Sequence, residues 1–185
     1  MKGTGKTVTE SVYIGIDPGP RTSGVVVYRQ RGRLPGRVAE AYAEAELQQV
    51  RRMIADYSGR ESSLEVVLEC TQAGPPSTQV VKTTEVVGRI MEMCHSRGVI
   101  WSAYYRREVL QGLGCARKGN KDSLVRLACI ELHGGDRKAA VGTKSKPGPL
   151  YGVSSHAWQA LGVVCSHVLP FERPLTPGTP GNNHE

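Results

Sequence analysis

Two carboxylates in this sequence each stand directly after a short apolar segment typical of a buried β-strand. Asp17 follows residues 12–16 (VYIGI), and Glu69 follows residues 64–68 (LEVVL). If these strands are neighbours in one sheet, their ends bring both side chains to the same edge. Two carboxylates so close repel each other unless a cation lies between them, and Mg²⁺ prefers oxygen ligands of this kind. Spacing alone also allows a purely structural role, in which each residue caps the turn or loop that follows its strand.

Hydrolysis of a phosphodiester is the chemistry that such a pair of carboxylates can support. Two divalent ions about 3.5–4 Å apart activate a water molecule and stabilise the leaving oxygen. Residues 97–146 contain 11 basic and 4 acidic residues, whereas residues 61–96 contain 2 basic and 5 acidic ones. A basic region beside an acidic one is expected where carboxylates hold metal ions next to a surface that binds nucleic acid. A basic surface that serves only solubility is the alternative.

The spacing of apolar residues predicts the elements that must position these carboxylates. Strands come first and helices are interleaved later, which indicates an α/β or α+β sheet with helices packed on it. The Lys-, Gly- and Pro-rich residues 136–152 predict a loop, and Ser154 or Ser155 is the expected N-cap of the last helix. The predicted strands are 12–16, 24–28, 38–43, 64–68 and 99–104, and the predicted helices are 44–57, 79–96, 121–133 and 153–169.

Length and composition predict one domain. The chain has 185 residues, 39% of them hydrophobic and 22% charged, which is enough to build a core. We expect a domain at 11–169, between a flexible N-terminus at 1–10 and a disordered Pro- and Gly-rich tail at 170–185.

No run of about 18 apolar residues indicates a membrane segment, and the first ten residues do not resemble a secretion signal. Five cysteines without a CxxC pair argue against disulfides and a zinc ribbon. These features predict a protein of the reduced cytoplasm.

Two short motifs suggest nucleotide binding, and each lacks the surrounding structure that such a site needs. Gly5-Lys6-Thr7 resembles the end of a phosphate loop, but it precedes a strand instead of following one. Asp17, Gly19 and Gly24 fit the first phosphate loop of actin-like and sugar-kinase ATPases. Those proteins enclose the nucleotide between two lobes, and 185 residues are too few to form both. We therefore expect no nucleotide cofactor.

The order of four sequence blocks carries a resemblance to a known family. The chain resembles RuvC-like Holliday-junction resolvases of the RNase H-like superfamily, from about residue 13 to residue 167. The blocks are IGIDPGPRTSGVVVY (14–28), VVLEC (66–70), GLGCARKGNKDSLVRLACIEL (112–132) and SHAWQALGVV (155–164). The first block is the most specific, because Asp-Pro-Gly follows the apolar strand and a glycine opens the next one. The resemblance implies an RNase H-like α/β fold, with a mixed sheet flanked by helices.

The resemblance also implies a metal site. Asp17 and Glu69 match the two strand-end carboxylates, and His156 matches the first metal-site position of the C-terminal helix, where the family has Asp or His. Gln159 stands where the family has Asp, so it could bind a metal only weakly through its amide oxygen. Either His156 suffices at this side of the site, or another acid such as Asp122 or Asp136 substitutes for the missing one. Alternatively, His156 is a partly buried histidine and Gln159 is a surface amide, and neither binds a metal.

Basic residues between Glu69 and His156 in the sequence are candidates for DNA contacts. Lys121 matches a basic residue that opens a helix after a Gly-x-Gly turn in the family, and there it would stabilise charge at the scissile phosphate. Arg117, Lys118, Lys144 and Lys146 are expected to contact phosphates elsewhere on the duplex. A solvated loop is the alternative for each of these four.

The activity that the resemblance implies is resolution of four-way (Holliday) DNA junctions. It would be a Mg²⁺-dependent endodeoxyribonuclease, with Mn²⁺ as a possible substitute, that makes paired symmetric nicks by hydrolysis. The expected active form is a homodimer, because a two-fold enzyme matches a two-fold junction. The alternatives are a junction-binding protein that has lost catalysis, which the glutamine at 159 motivates, and a nuclease with broader flap or hybrid substrates.

Overall fold

Eleven elements make up the described part of the chain in this computed structural model. The structure describes residues 10–32, 35–70, 77–115 and 121–169. The strands are β1 (Glu10–Asp17), β2 (Thr22–Arg31), β3 (Arg37–Glu46), β4 (Leu64–Cys70) and β5 (Ile100–Tyr105). The helices are α1 (Leu47–Ser58), α2 (Thr78–Ser96), α3 (Arg106–Gly112), α4 (Lys121–Leu132), α5 (Arg137–Ala140) and α6 (Ala157–Val168). No helix in these ranges is long and apolar enough to cross a membrane.

The five strands form one mixed sheet in the order β3-β2-β1-β4-β5. β1 and β2 pair antiparallel, as do β2 and β3. β4 then lies parallel to β1 on its other side, and β5 lies parallel to β4. The carboxyl ends of β1, β4 and β5 therefore meet at one edge of the sheet.

Both faces of the sheet are covered, which explains why its central strands are almost continuously apolar. Side chains alternate between faces along each strand. Ile14 and Ile16 of β1 pack with α1 and α2 on one face. On the other face, Val26 and Val67 pack with α3, α4 and α6. The predicted sheet flanked by helices is confirmed.

Two glycines allow α6 to lie directly on the sheet. A Cβ atom at Gly15 of β1 would lie 2.5 Å from the carbonyl oxygen of Ala160, and one at Gly24 of β2 would lie 2.3 Å from that of His156. Real side chains do not tolerate such distances, so these positions require glycine. The close approach fixes the first turn of α6 beside the end of β1.

Three local features differ from the sequence prediction. Residues 44–46 belong to β3 instead of the following helix, because Ala45 and Glu46 pair with β2. Within 136–152, expected to be a loop, the side chain of Asp136 caps the short helix α5. The expected N-cap at Ser154 or Ser155 is wrong: His156 precedes α6, and Ser155 adopts a left-handed φ of 44°. The carbonyls of both serines instead accept i+3 hydrogen bonds in a tight turn.

Candidate active site

Asp17 and Glu69 lie at the ends of two neighbouring parallel strands. Ile16 pairs with Leu68 in the β1/β4 ladder, so the two carboxylates come one residue later in the same register. By alternation, both side chains belong to the sheet face of Gly15 and Val67, which α6 covers. The two acids that the sequence singled out are thus side by side under the N-terminal end of α6.

Burial and nearby negative charge make the ionised form of Asp17 unfavourable unless a cation lies close to it. Burial raises the pKa of Asp17 to about 7, with further increases from the charges of Glu69 and Asp122, while the charge of Arg106 opposes the increase. Burial also raises the pKa of Glu69, and the charge and hydrogen bond of Arg106 counteract this rise. Positive charge placed near Asp17 would favour its ionised form. The site is therefore short of positive charge on its Asp17 side.

His156 borders the same site from the N-terminal end of α6. Its Nδ1 lies 3.9 Å from Oδ2 of Asp17, and its side chain is 65% exposed. Asp17 and His156 face an open cleft of about 660 Å³, whose lining also includes Arg21 of the β1–β2 turn and Lys82 of α2. Solvent, a hydrated ion or a phosphate can approach Asp17 through this cleft.

An arginine that the sequence analysis did not select lies at the centre of the site. Arg106 is the first residue after β5, at the same sheet edge as the two carboxylates. Its Nη1 donates to Oε2 of Glu69 at 3.1 Å and to Oε1 of Gln159 at 2.6 Å. Its Nη2 donates to the carboxylate of Asp122, which is 72% exposed. One guanidinium thus connects β4, α4 and α6.

Gln159 is oriented by this contact. It is 9% exposed, and a guanidinium offers only donors, so the amide must present its oxygen to Arg106. From the sequence, this oxygen is a candidate for a weak metal ligand, and in the structure it accepts a hydrogen bond from Arg106 instead. Of the two possible substitute acids, Asp122 lies at the site through Arg106, whereas Asp136 accepts from the backbone N–H of Ala139 at 2.9 Å as the α5 cap.

The residues at the site fit a hard divalent cation that keeps water ligands. Asp17 and Glu69 supply carboxylate oxygens in a region that is short of positive charge. His156 adds an imidazole nitrogen on the cleft side. In the described part of the chain, no group of three or more His, Cys, Asp and Glu residues is already arranged around one point. Mg²⁺ commonly binds through one or two carboxylates and retains several waters, so this donor set suits it.

The candidate DNA-contacting residues are placed only in part. Lys144 and Lys146 are exposed in a tight turn after α5, where Thr143 and Lys146 exchange backbone hydrogen bonds. Lys121 opens α4, but its side chain lies outside the described residues, as do Arg117 and Lys118.

The sheet and helices form an RNase H-like fold, and solved structures of RuvC proteins are similar to it. A structure of Thermus thermophilus RuvC in complex with a Holliday-junction substrate superposes with a TM-score of 0.62 and 21% sequence identity, over 85% of this chain and 92% of that one. A second Thermus thermophilus RuvC structure superposes with a TM-score of 0.59 and 21% sequence identity, over 84% of this chain and 92% of that one. No family model matches the sequence, and no curated protein matches it. The resemblance to RuvC-like proteins is confirmed at the level of the fold.

Proposed function

We propose that this protein is a metal-dependent, structure-selective endodeoxyribonuclease that resolves four-way DNA junctions by paired symmetric nicks. The observation that carries the proposal is the pair of carboxylates, Asp17 and Glu69, at neighbouring strand ends beneath α6 and beside the exposed His156. The choice of a junction as substrate is supported by the shared fold with a RuvC that was solved on a Holliday junction.

Asp17, Glu69 and His156 would hold Mg²⁺ or Mn²⁺ in this proposal. Such an ion supplies an activated water and positive charge for the phosphate. The water oxygen bonds to phosphorus, the bond to the 3′ oxygen breaks, one proton leaves the water, and the 3′ oxygen takes one up. The products are a 5′-phosphate and a 3′-hydroxyl. Asp17 and Glu69 serve this reaction as anions fixed by their strands, so little reorganisation is needed.

Basic side chains around the site would hold the DNA backbone. Arg21 and Lys82 line the cleft next to Asp17, where a phosphate can approach. Lys121, at the start of α4, is proposed to contact the scissile phosphate. Contacts to the flanking duplex are proposed for Arg117, Lys118, Lys144 and Lys146. Such contacts provide affinity that falls as salt rises.

We propose a homodimer as the active form, because cutting two strands of a two-fold junction symmetrically requires two sites related by the same symmetry. A cytoplasmic location agrees with the cysteines at 70, 94, 115, 129 and 165, all of which are free thiols.

Cleavage of labelled DNA tests the proposal. The full-length protein is incubated in Mg²⁺ with a four-way junction, a matched linear duplex, a flap and an RNA–DNA hybrid, and each reaction is repeated with EDTA. Asp17→Asn should abolish cutting, whereas Asp56→Asn, on the exposed face of α1, should not. Cutting of the junction alone supports the proposal. Equal cutting of flaps or hybrids would make the enzyme a broader nuclease.

A second candidate function is junction binding without catalysis. Arg106 already neutralises part of the negative charge of Glu69, and Gln159 adds none. A site with less negative charge binds a divalent ion more weakly. This candidate predicts salt-sensitive junction binding with no cutting in either Mg²⁺ or Mn²⁺.

A further inference from the structure

One permanent positive charge is built into the candidate site. Arg106 of α3 contacts Glu69 of β4, Gln159 of α6 and Asp122 of α4. Its side chain is 21% exposed, so these contacts hold the guanidinium inside the site without burying the whole side chain. A cation in this position can act on a phosphate that binds at the strand ends beside α6.

We propose that the Arg106 guanidinium is the fixed cation of the Glu69 side of the site, and that each active site binds one divalent ion, on the Asp17 side, instead of two. The inference rests on the nuclease function proposed above. It adds a catalytic residue that would touch the scissile phosphate, and it sets the number of ions per chain.

The side-chain charges on the Glu69 side support this assignment. A guanidinium stays protonated throughout the pH range in which proteins are folded. A divalent ion that shared Oε2 of Glu69 or Oε1 of Gln159 with Arg106 would meet close cation–cation repulsion. Compared with a site that has an acid at 159 and an uncharged residue at 106, this one has one negative charge fewer and one positive charge more, so its net charge is more positive by two. Two charges are what one divalent ion would bring.

The Asp17 side is open to an ion. Asp17 lies beside the exposed His156, whose Nδ1 is 3.9 Å from Oδ2 of Asp17. Asp17 and His156 line the cleft, while Arg106 and Glu69 are absent from its described lining. A hydrated ion can therefore reach Asp17 without displacing Arg106. Since Arg106 binds Oε2 of Glu69, an ion on the Asp17 side would use the other carboxylate oxygen of Glu69.

Arg106 would act on the reaction through hydrogen bonds and charge. Its bonds to described residues use three of the five N–H groups of a guanidinium. Donors fixed beside a phosphoryl group stabilise the negative charge that develops as water attacks. Arg106 transfers no proton, so the proton lost by the water and the proton gained by the 3′ oxygen are both exchanged with solvent.

The number of bound Mn²⁺ ions tests the inference without DNA. Isothermal titration calorimetry on the full chain should give one site in the wild type and in Arg106→Lys. The double variant Arg106→Gln/Gln159→Asp should bind two ions, with an electron paramagnetic resonance spectrum typical of two coupled Mn²⁺ ions. Arg107→Gln, an exposed neighbour on α3, is the matched control and should keep one site. Circular dichroism verifies that each variant is folded.

Two coupled ions in the wild type, or one ion in a folded double variant, would overturn the inference. In the cleavage assay, Arg106→Gln should lower the rate of nicking about 10²–10³-fold, and Arg107→Gln should leave it nearly unchanged. Junction cutting by a wild type that binds two ions would refute the one-ion assignment and leave the proposed function standing. One bound ion without any cutting would refute the function and leave the assignment standing. Absence of Mn²⁺ binding would contradict both.

Discussion

Arg106 and Gln159 are joined by a 2.6 Å hydrogen bond across the edge of the sheet, although they are 53 residues apart in the chain. The bond connects the end of β5 to the first turn of α6, which directly follows His156. It orients the amide of a nearly buried glutamine and keeps the guanidinium next to Glu69. Position 159, where an acid would add negative charge to the site, thus holds a neutral amide that binds the guanidinium of Arg106.

Loss of the Gln159 amide should destabilise the protein. Gln159→Ala leaves a donor of Arg106 without its acceptor in a nearly buried place, which costs about 1–3 kcal/mol. Urea unfolding measures the change in the free energy of unfolding. Gln111→Ala, at an exposed position of α3, removes the same groups from the surface and should change it by less than about 0.5 kcal/mol. Equal effects of the two substitutions would show that the contact with Arg106 contributes nothing.

The glycine beneath α6 should resist substitution. In Gly24→Ala, the new Cβ atom would lie 2.3 Å from the carbonyl oxygen of His156, so α6 must shift. We expect a loss of about 1–3 kcal/mol of unfolding free energy, as for other overpacked sites. Gly88→Ala is the matched control in α2, where no described atom lies within 4 Å of the added Cβ. It should stabilise the protein by about 0.5–1 kcal/mol, because alanine favours a helix over glycine.

Removal of the buried charge at Asp17 should stabilise the metal-free protein. The pKa of Asp17 is raised to about 7 by burial and by Glu69. Above that pH the folded protein carries the buried negative charge, which lowers its stability relative to the unfolded chain. In EDTA at pH 8, Asp17→Asn should therefore melt at a higher temperature than the wild type, and this advantage should shrink as the pH falls below 7. Mn²⁺ should raise the melting temperature of the wild type and leave that of Asp17→Asn unchanged. A Mn²⁺ response that is the same in both proteins would place the ion elsewhere.

His133 should make the protein less stable in mild acid. Its Nδ1 donates to the carbonyl of Cys129 at 2.7 Å, so Nε2 accepts from the hydroxyl of Tyr28 at 2.9 Å and the ring is neutral. Burial lowers its pKa below the usual 6.5. The unfolded chain therefore binds a proton more readily, and stability is lost as the pH falls through 6.5 towards the lower folded value.

Urea unfolding at pH 7.5 and 5.5 measures this effect. The wild type should lose more unfolding free energy between the two values than His133→Gln, since glutamine can donate and accept without titrating. His95→Gln, exposed on α2, should behave like the wild type. An unchanged pH dependence in His133→Gln would show that this histidine does not couple folding to protonation.

The sheet could be predicted from the sequence because its strands are marked by local patterns. The apolar segments before Asp17 and Glu69 have the length and composition of buried strands, and both carboxylates come directly after them. The end of β3 was harder to predict. Ala45 and Glu46 fit the helical pattern that follows, and only their pairing with β2 places them in the strand.

Arg106 could not be predicted, because its importance depends on which strands are neighbours. Its local sequence, two tyrosines followed by two arginines, is typical of an exposed strand end. Only the position of β5 beside β4 brings it to Glu69, and only the placement of α6 brings it to Gln159. The sequence contains one relevant signal, the amide of Gln159, but its local pattern does not indicate Arg106 as the hydrogen-bond partner.

Mapping the nicks in a four-way junction tests the central claim most directly. Two opposing strands are labelled at their 5′ ends in separate preparations, and the cut positions are read on a sequencing gel in Mg²⁺. We expect nicks at equal distances from the crossover on the two opposing strands, and none with Asp17→Asn. Tight binding of the junction without nicks in either Mg²⁺ or Mn²⁺ would contradict the account and make the protein a junction-binding module.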